Sequence, residues 1–132
     1  MADVNIPIGA KHEETILVTS DVAIDFLGLD GPRVLSTPSM ILWMEKTCRN
    51  LILKYLEKGY DTVGTEVHVK HLAAAPMGMS VKFRAEVLAV NERRVTCRVE
   101  AEDEKEKIGE GTHERTIINV ARFAAKMAGK SA

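Results

Sequence analysis

Cysteine, proline and aromatic residues are scarce in this chain of 132 residues. There are two cysteines and four prolines, and aromatic residues make up 5% of the sequence. Cys48 and Cys97 form neither a Cys-x-x-Cys motif nor a histidine-spaced pattern, so no metal site is expected, and both are interpreted as small buried hydrophobic residues. This composition excludes a collagen-like chain and a disulfide-stapled scaffold.

The sequence also lacks an excess of one charge and a long apolar run. Lys and Arg number 18 against 19 Asp and Glu, which gives a net charge of -1. No global positive charge is available for nucleic acid, and no polybasic block for a membrane surface. Residues 1–14 do not resemble a signal peptide, and no run approaches the roughly 20 apolar residues of a membrane span. We therefore predict a cytoplasmic protein with one domain over residues 1–132, and without nucleic-acid or membrane partners.

A strong helical pattern begins near Pro38. Proline suits the first helical position, which makes Thr37 the predicted N-cap. Apolar residues then recur at helical spacing from residue 40 to residue 56, and Gly59 is predicted to end the helix. On a helical wheel Glu45 falls within the apolar arc, where a carboxylate has to be hydrogen-bonded, paired or functional.

After the helix the apolar period changes to two. Alternating runs at residues 63–71, 81–89, 95–101 and 107–120 predict strands, and residues 11–19 predict a first strand. The first of these runs places Val63, Val67 and His71 on one apolar face. Strands with one apolar and one polar face indicate an antiparallel sheet, so we predict an α+β fold in which the helix fills the concave side. Residues 27–32 predict a loop, and residues 123–127 a short C-terminal helix.

Two residues besides Glu45 are candidates for chemistry. His71 closes the apolar face of its strand, where it is either a hydrogen-bonded core histidine or a general acid or base. By the same argument about faces, His71 could approach Glu45 between the helix and the sheet. Thr37 is placed at a helix N-terminus, where amide groups favour a carbonyl oxygen or an anion, even if its first role is the cap.

Glycine and arginine on the strands leave further alternatives open. Gly64 lies inside a strand, which points either to a bulge and tight packing or to a ligand that approaches closely. The pair Glu114 and Arg115 is expected to form exposed ion pairs of little energetic weight.

Four segments of the sequence resemble hotdog acyl-CoA thioesterases, and the fluoroacetyl-CoA thioesterase-like family in particular. The resemblance covers residues 34–126 and is carried by Ser36–Met40, Leu42–Glu45, Val63–Gly78 and Gly109–Arg115. It implies a hotdog fold, with one long helix wrapped by an antiparallel sheet of about five strands. It also implies a homodimer, or a dimer of dimers, with the active site at the subunit boundary.

The resemblance assigns roles residue by residue. Thr37, Glu45 and His71 match the family's catalytic residues, and Gly64 and Arg115 match its substrate-binding positions. The implied reaction is hydrolysis of a short-chain acyl-CoA thioester to a carboxylic acid and CoA, without a cofactor or a metal. A hotdog hydratase or dehydratase and a non-catalytic acyl-CoA-binding module remain alternatives. The fluoroacetyl-specific members carry a phenylalanine-rich lid that residues 25–32 do not match. The resemblance therefore implies the family's reaction, but not fluoroacetyl-CoA as the substrate.

Overall fold

The computed structural model of the protein describes residues 4–25 and 32–132. Within these ranges one long helix packs against a five-stranded sheet, which confirms the predicted α+β architecture. The predicted loop at residues 27–32 lies almost wholly outside the described residues. The elements in chain order are β1 (Lys11–Leu17), α1 (Thr37–Leu53), β2 (Tyr60–His71), β3 (Ser80–Asn91), β4 (Arg94–Glu102), β5 (Lys107–Asn119) and α2 (Val120–Ser131).

The strands form an antiparallel sheet in the order β1-β3-β4-β5-β2. Consecutive strands from β3 to β5 are joined by tight turns, and Glu92 adopts a φ of 57° in the first of them. Helix α1 contacts all five strands, so the sheet curves around it. This topology leaves β1 and β2 as the sheet edges, and β2 is therefore free to pair with another strand.

The core lies between α1 and the inner face of the sheet. The buried helix residues include Met40, Met44, Cys48, Leu51 and Ile52. Each large apolar side chain that leaves water here stabilises the fold by about 1.5–3 kcal/mol. A Cβ built on Gly109 would lie 2.5 Å from the sulfur of Met40, so the missing side chain lets the helix approach β5 closely. Cys48 and Cys97 are free and buried, as predicted.

The ends of α1 differ from the sequence prediction. Ser36 is the N-cap, with its hydroxyl accepting a hydrogen bond from the amide of Ser39 at 3.2 Å, and Thr37 is already helical. Pro38 therefore occupies the second helical position, where its missing N–H is equally harmless. The helix ends at Leu53 because the following amides bond to carbonyls three residues back, and Gly59 (φ 95°) lies in the turn before β2.

A bulge in β2 changes which side chains face the helix. The pairing with β5 shifts between Gly64 and Glu66, so one residue of β2 has no partner. Before the shift Gly64 pairs with the buried Arg115, and after it His71 pairs with the buried Gly109. His71 therefore faces the helix as predicted, whereas the prediction for Val63 is wrong, because a one-residue insertion reverses the alternation.

Helix α2 follows β5 directly and is longer than predicted. It begins where the side chain of Asn119 accepts a hydrogen bond from the amide of Arg122 at 3.0 Å. None of its residues is buried, and it contacts the rest of the chain mainly through β5. Among the helices of the described ranges, none is both long and apolar enough to cross a membrane.

Candidate active site

Thr37 and His71 meet where α1 begins and β2 ends. The hydroxyl oxygen of Thr37 lies 2.7 Å from Nδ1 of His71, within hydrogen-bonding distance. The other ring nitrogen, Nε2, is buried and is the one buried side-chain polar atom without a hydrogen-bond partner within residues 4–25 and 32–132. An unpartnered buried nitrogen costs about 1–3 kcal/mol, so its presence here points to a group that binds or transfers something.

The ionisation of His71 favours a neutral ring. Burial lowers the pKa of His71 below its ordinary value, and the nearby backbone of Ala73 opposes part of that effect. The ring is therefore uncharged at neutral pH and can accept or deliver one proton. It borders an open depression of about 360 Å³, which Thr37 and Leu72 also line.

Glu45 lies in a second group, halfway along α1. A Cβ built on Gly64 would be 3.3 Å from Oε1 of Glu45, 3.3 Å from Nη1 of Arg115 and 3.2 Å from Cε1 of His113. The missing side chain of Gly64 thus leaves a small space bounded by a carboxylate, a guanidinium and an imidazole. Of the readings left open for Gly64, the structure shows both a bulge beside it and close packing around it.

Arg115 is buried, and the prediction of an exposed ion pair is wrong. Its Nε donates to the hydroxyl of Thr62 at 2.6 Å, and its Nη2 donates to the carbonyl of the same residue at 3.0 Å. Its neighbour Glu114 accepts instead from the hydroxyl of Thr65 at 2.7 Å. Burial lowers the pKa of Arg115, and the nearby Cys48 and Glu45 oppose this, but a guanidinium stays charged in proteins.

His113 completes this group and was not among the residues singled out from the sequence. Its Nε2 lies 3.1 Å from Nη1 of Arg115, which can only donate, so Nε2 accepts and Nδ1 donates to the carbonyl of Glu66 at 2.8 Å. Burial is the main cause of the lowered pKa of His113. The alternation along β5 could have identified it, because His113 lies two residues before Arg115 and four before Ile117, and so on the same buried face of the strand.

Within one protomer the two groups remain apart. Thr37 and Glu45 are eight residues apart on α1, or about 12 Å along the axis. Gly64 and His71 are seven residues apart on β2, or roughly 20 Å along the strand. Thr37 lies beside His71, and Glu45 lies beside Gly64. The helix and the strand therefore separate the two groups in the same direction, and the expected approach of Glu45 to His71 does not occur within one chain.

Solved structures with this architecture are hotdog-fold proteins. A hot-dog-like protein from Thermanaerovibrio acidaminovorans matches with a TM-score of 0.86 at 21% identity, over 96% of this chain and 94% of that one. A Thermus thermophilus hypothetical protein described as a thioesterase superfamily member matches with a TM-score of 0.87 at 33% identity, over 96% and 94% of the two chains. The class is thus that of the hotdog thioesterases.

The family is narrower than that class. The model of the family described as fluoroacetyl-CoA-specific thioesterase matches residues 18–121, and the chain belongs to that family. The fluoroacetyl-CoA thioesterase of Streptantibioticus cattleyicolor is 41% identical over 100 residues, which are 76% of this chain and 72% of that protein. The structure of the fluoroacetyl-CoA thioesterase FlK matches with a TM-score of 0.87 at 32% identity, over 96% and 98% of the chains.

These comparisons confirm the predicted hotdog-fold acyl-CoA thioesterase. They favour it over the hydratase and the non-catalytic binding module, because the named relatives are thioesterases. The segment compared with the family's lid, residues 25–32, lies almost wholly outside the described residues.

Proposed function

We propose that this protein hydrolyses a short-chain acyl-CoA thioester to a carboxylic acid and CoA, with Glu45, His71 and Thr37 as the reacting and orienting groups. The observation that carries the proposal is the imidazole of His71, held through Nδ1 by Thr37 and left with a buried, unpartnered Nε2. Such a nitrogen is suited to move one proton. Family membership supports the thioester as the substrate class.

The active site is proposed to form across a homodimer joined through β2. An antiparallel pairing of β2 with its own copy, centred on His68 and with Thr65 skipped at the bulge, would place Gly64 of one protomer opposite His71 of the other, both on the inner face. That register brings the Glu45 group of one chain to the His71 group of its partner. The exposed edge residues of β2 support it, and a dimer of such dimers would preserve the site.

In the proposed reaction the C–S bond breaks and water supplies the new C–O bond. Glu45 either attacks the carbonyl carbon to form an anhydride, which water then hydrolyses, or activates water directly. The neutral ring of His71 accepts on Nε2 a proton that the reacting water releases, and the resulting imidazolium delivers that proton to the thiolate of CoA. The amide of Thr37, the first of α1, stabilises the oxyanion, while the bond from the Thr37 hydroxyl orients the ring.

We propose that Gly64 and Arg115 form part of the binding site for the acyl group. The absent side chain of Gly64 leaves room beside the Glu45 carboxylate, and a larger residue would fill it. The guanidinium of Arg115 places a fixed positive charge beside the same space. This charge attracts a negatively charged group more strongly than a neutral one. A short acyl chain suits a space bounded by three polar side chains.

The test is a thiol-release assay over acyl-CoAs of rising chain length, including halogenated acetyl groups. We expect turnover of the short members, and a loss of about 100-fold or more in Glu45→Gln, because the amide can neither attack nor accept a proton. Glu57→Gln, at an exposed position beyond α1, is the matched control and should retain activity. Absence of thiol release by the wild type, or full activity of Glu45→Gln, would overturn the proposal.

A cytoplasmic location is part of the proposal. It is supported by the two free thiols in the core, which are typical of a reducing compartment. Fractionation of source cells should recover the protein in the cytoplasmic fraction, and recovery from another compartment would contradict it.

A further inference from the structure

A small cleft rich in positive charge lies where α2 leaves the sheet. It has a volume of about 160 Å³, and its lining includes Arg93, Arg122, Lys126 and the ring of Phe123. In the part of the chain that the structure describes, none of these three cations is within ion-pair distance of a carboxylate. Unpaired cations at one cleft repel one another, so the cleft is suited to an anion of several charges.

The local fold holds these cations in one place. Arg122 and Lys126 are four residues apart on α2 and so lie on the same face of the helix. Arg93 comes from the turn between β3 and β4, and its carbonyl accepts a hydrogen bond from the amide of Ile117 at 2.8 Å, which fixes the turn beside β5. Elsewhere on the sheet surface, by contrast, cations such as Arg84 and Lys107 are paired with glutamates.

Phe123 adds a flat apolar surface to the same cleft. It is partly buried and lies next to Arg122 in the sequence. Aromatic rings stack on nucleobases irrespective of base identity, and phosphates bind to neighbouring cations. An aromatic ring among three unpaired cations therefore matches a phosphorylated nucleoside better than it matches an inorganic anion.

The cleft is within reach of the acyl site. Arg115 contacts the space beside Glu45, and Asn119, at the cleft, is four residues further along β5. This spacing amounts to about 13 Å of strand, which an extended pantetheine arm can bridge. A substrate with its thioester near Glu45 would thus bring its nucleotide end towards α2.

We propose that Arg93, Arg122, Lys126 and Phe123 form the binding site for the 3′-phosphorylated ADP end of CoA. The cations neutralise the phosphates, and Phe123 stacks against the adenine. The inference rests on the proposed function for the identity of the ligand, but it concerns binding and not hydrolysis.

Calorimetric titration with CoA itself, without turnover, is the first test. We expect Arg122→Ala and Lys126→Ala each to weaken CoA binding about fivefold, which corresponds to about 1 kcal/mol, and the double variant about 25-fold. Adenosine 3′,5′-bisphosphate should compete with CoA for the wild type. Lys105→Ala removes an exposed charge from the turn between β4 and β5, away from the cleft, and should bind like the wild type.

Kinetics with two substrates form the second test. For acetyl-CoA, or the short acyl-CoA that the wild type hydrolyses best, the cleft variants should raise KM with kcat unchanged. For the matching acyl-pantetheine, which has no nucleotide, KM should be the same in variants and wild type.

The outcomes separate this inference from the proposed function. Equal CoA affinity in wild type and double variant overturns the nucleotide site, even if the protein hydrolyses thioesters. Weakened CoA binding in the variants of a protein without hydrolytic activity overturns the proposed reaction and supports the site. A KM rise of equal size for acyl-pantetheine would also overturn the site, since that loss could not come from the nucleotide.

Discussion

Nη1 of Arg115 lies 3.1 Å from Nε2 of His113, in the layer between the sheet and α1. Because the guanidinium only donates, this contact keeps the imidazole neutral, with its proton on Nδ1 and bonded to the carbonyl of Glu66. With the two bonds from Arg115 to Thr62, the contacts tie β5 to β2 on both sides of the bulge. The positive charge beside Glu45 is thereby fixed in position.

The stability of the protein should fall on mild acidification. Burial lowers the pKa of both His71 and His113 in the folded protein, whereas the unfolded chain takes up protons near the ordinary value of 6.5. The unfolded state therefore binds more protons below that pH, and the free energy of unfolding decreases from about pH 6.5 down to the folded pKa values. The slope is at most about 1.4 kcal/mol per pH unit for the buried ring of His113.

Urea unfolding at pH values from 8 to 5 checks this expectation. His71→Asn and His113→Asn should each flatten the slope, whereas His68→Asn, at an exposed position, should keep it. The bond with Arg49 lowers the pKa of Asp61 below its ordinary value of 3.8. Asp61 therefore changes the free energy of unfolding only near pH 3.8 and below, outside the pH range of these unfolding experiments. Stability that is constant or rises between pH 6.5 and 5 would contradict the prediction.

Two neighbouring hydroxyls should separate folding from catalysis. Ser36→Ala removes the N-cap of α1 and should lower the free energy of unfolding by about 1 kcal/mol, with turnover by the folded enzyme little changed. Thr37→Val keeps the shape but removes the bond to His71, so kcat should fall about 10-fold or more with little loss of stability. Thr37→Ser restores the hydroxyl and should recover most of the activity.

Thermal unfolding and thiol-release kinetics on the same samples measure both effects. If Thr37→Val lost stability and kept its kcat, Thr37 would be a cap after all. If Ser36→Ala reduced kcat at unchanged stability, the roles of the two hydroxyls would be exchanged.

Periodicity predicted the main elements correctly because it reports how each element meets the core. The wheel placed Glu45 in the apolar arc of α1, and the structure shows it half-buried beside Gly64. Alternation placed His71 on the inner face, where it lies. Both predictions depend only on positions within a single element, which is why they did not need the tertiary structure.

The errors arose where one residue changes the geometry of those that follow. The bulge in β2 reverses the alternation, so Val63 leaves the inner face and Gly64 enters it. The burial of Arg115 depends on its two bonds to Thr62 on the neighbouring strand β2, and no local pattern records such a partner. Likewise, the separation of Glu45 from His71 follows from the lengths of two elements taken together.

Gly64→Ala tests the space between Glu45 and Arg115. The added methyl would lie 3.2–3.3 Å from atoms of three side chains, close enough to displace them by a few tenths of an ångström. We expect the fold to tolerate this within about 1 kcal/mol, while kcat/KM falls about 10- to 100-fold, since the displaced groups include the reacting carboxylate.

Gly129→Ala is the matched control for that variant. A Cβ at Gly129 would contact nothing within 4 Å, and the residue lies inside α2. Its replacement should stabilise the helix by up to about 1 kcal/mol and leave kcat/KM unchanged. A Gly64→Ala enzyme with wild-type kinetics would show that the space beside Glu45 is not used.

A mixture of two inactive variants tests whether the site spans two chains. Glu45→Gln and His71→Ala should each be inactive as homodimers. In a mixed dimer, one site combines both defects, and the other combines the intact Glu45 of one chain with the intact His71 of its partner. Co-unfolding and refolding the two variants in equal amounts should therefore restore about a quarter of the wild-type rate per protomer.

Restoration of this kind requires that the reacting groups come from different chains. Were Glu45 and His71 of one chain to act together, every site in the mixed dimer would carry one defect, and the rate would stay at the level of the separate variants. Mixing Glu45→Gln with Thr37→Val should restore activity in the same way, because Thr37 holds His71 within its own chain at 2.7 Å. Mixing His71→Ala with Thr37→Val should restore none, since the mixed dimer has a defect in the His71 group of both chains.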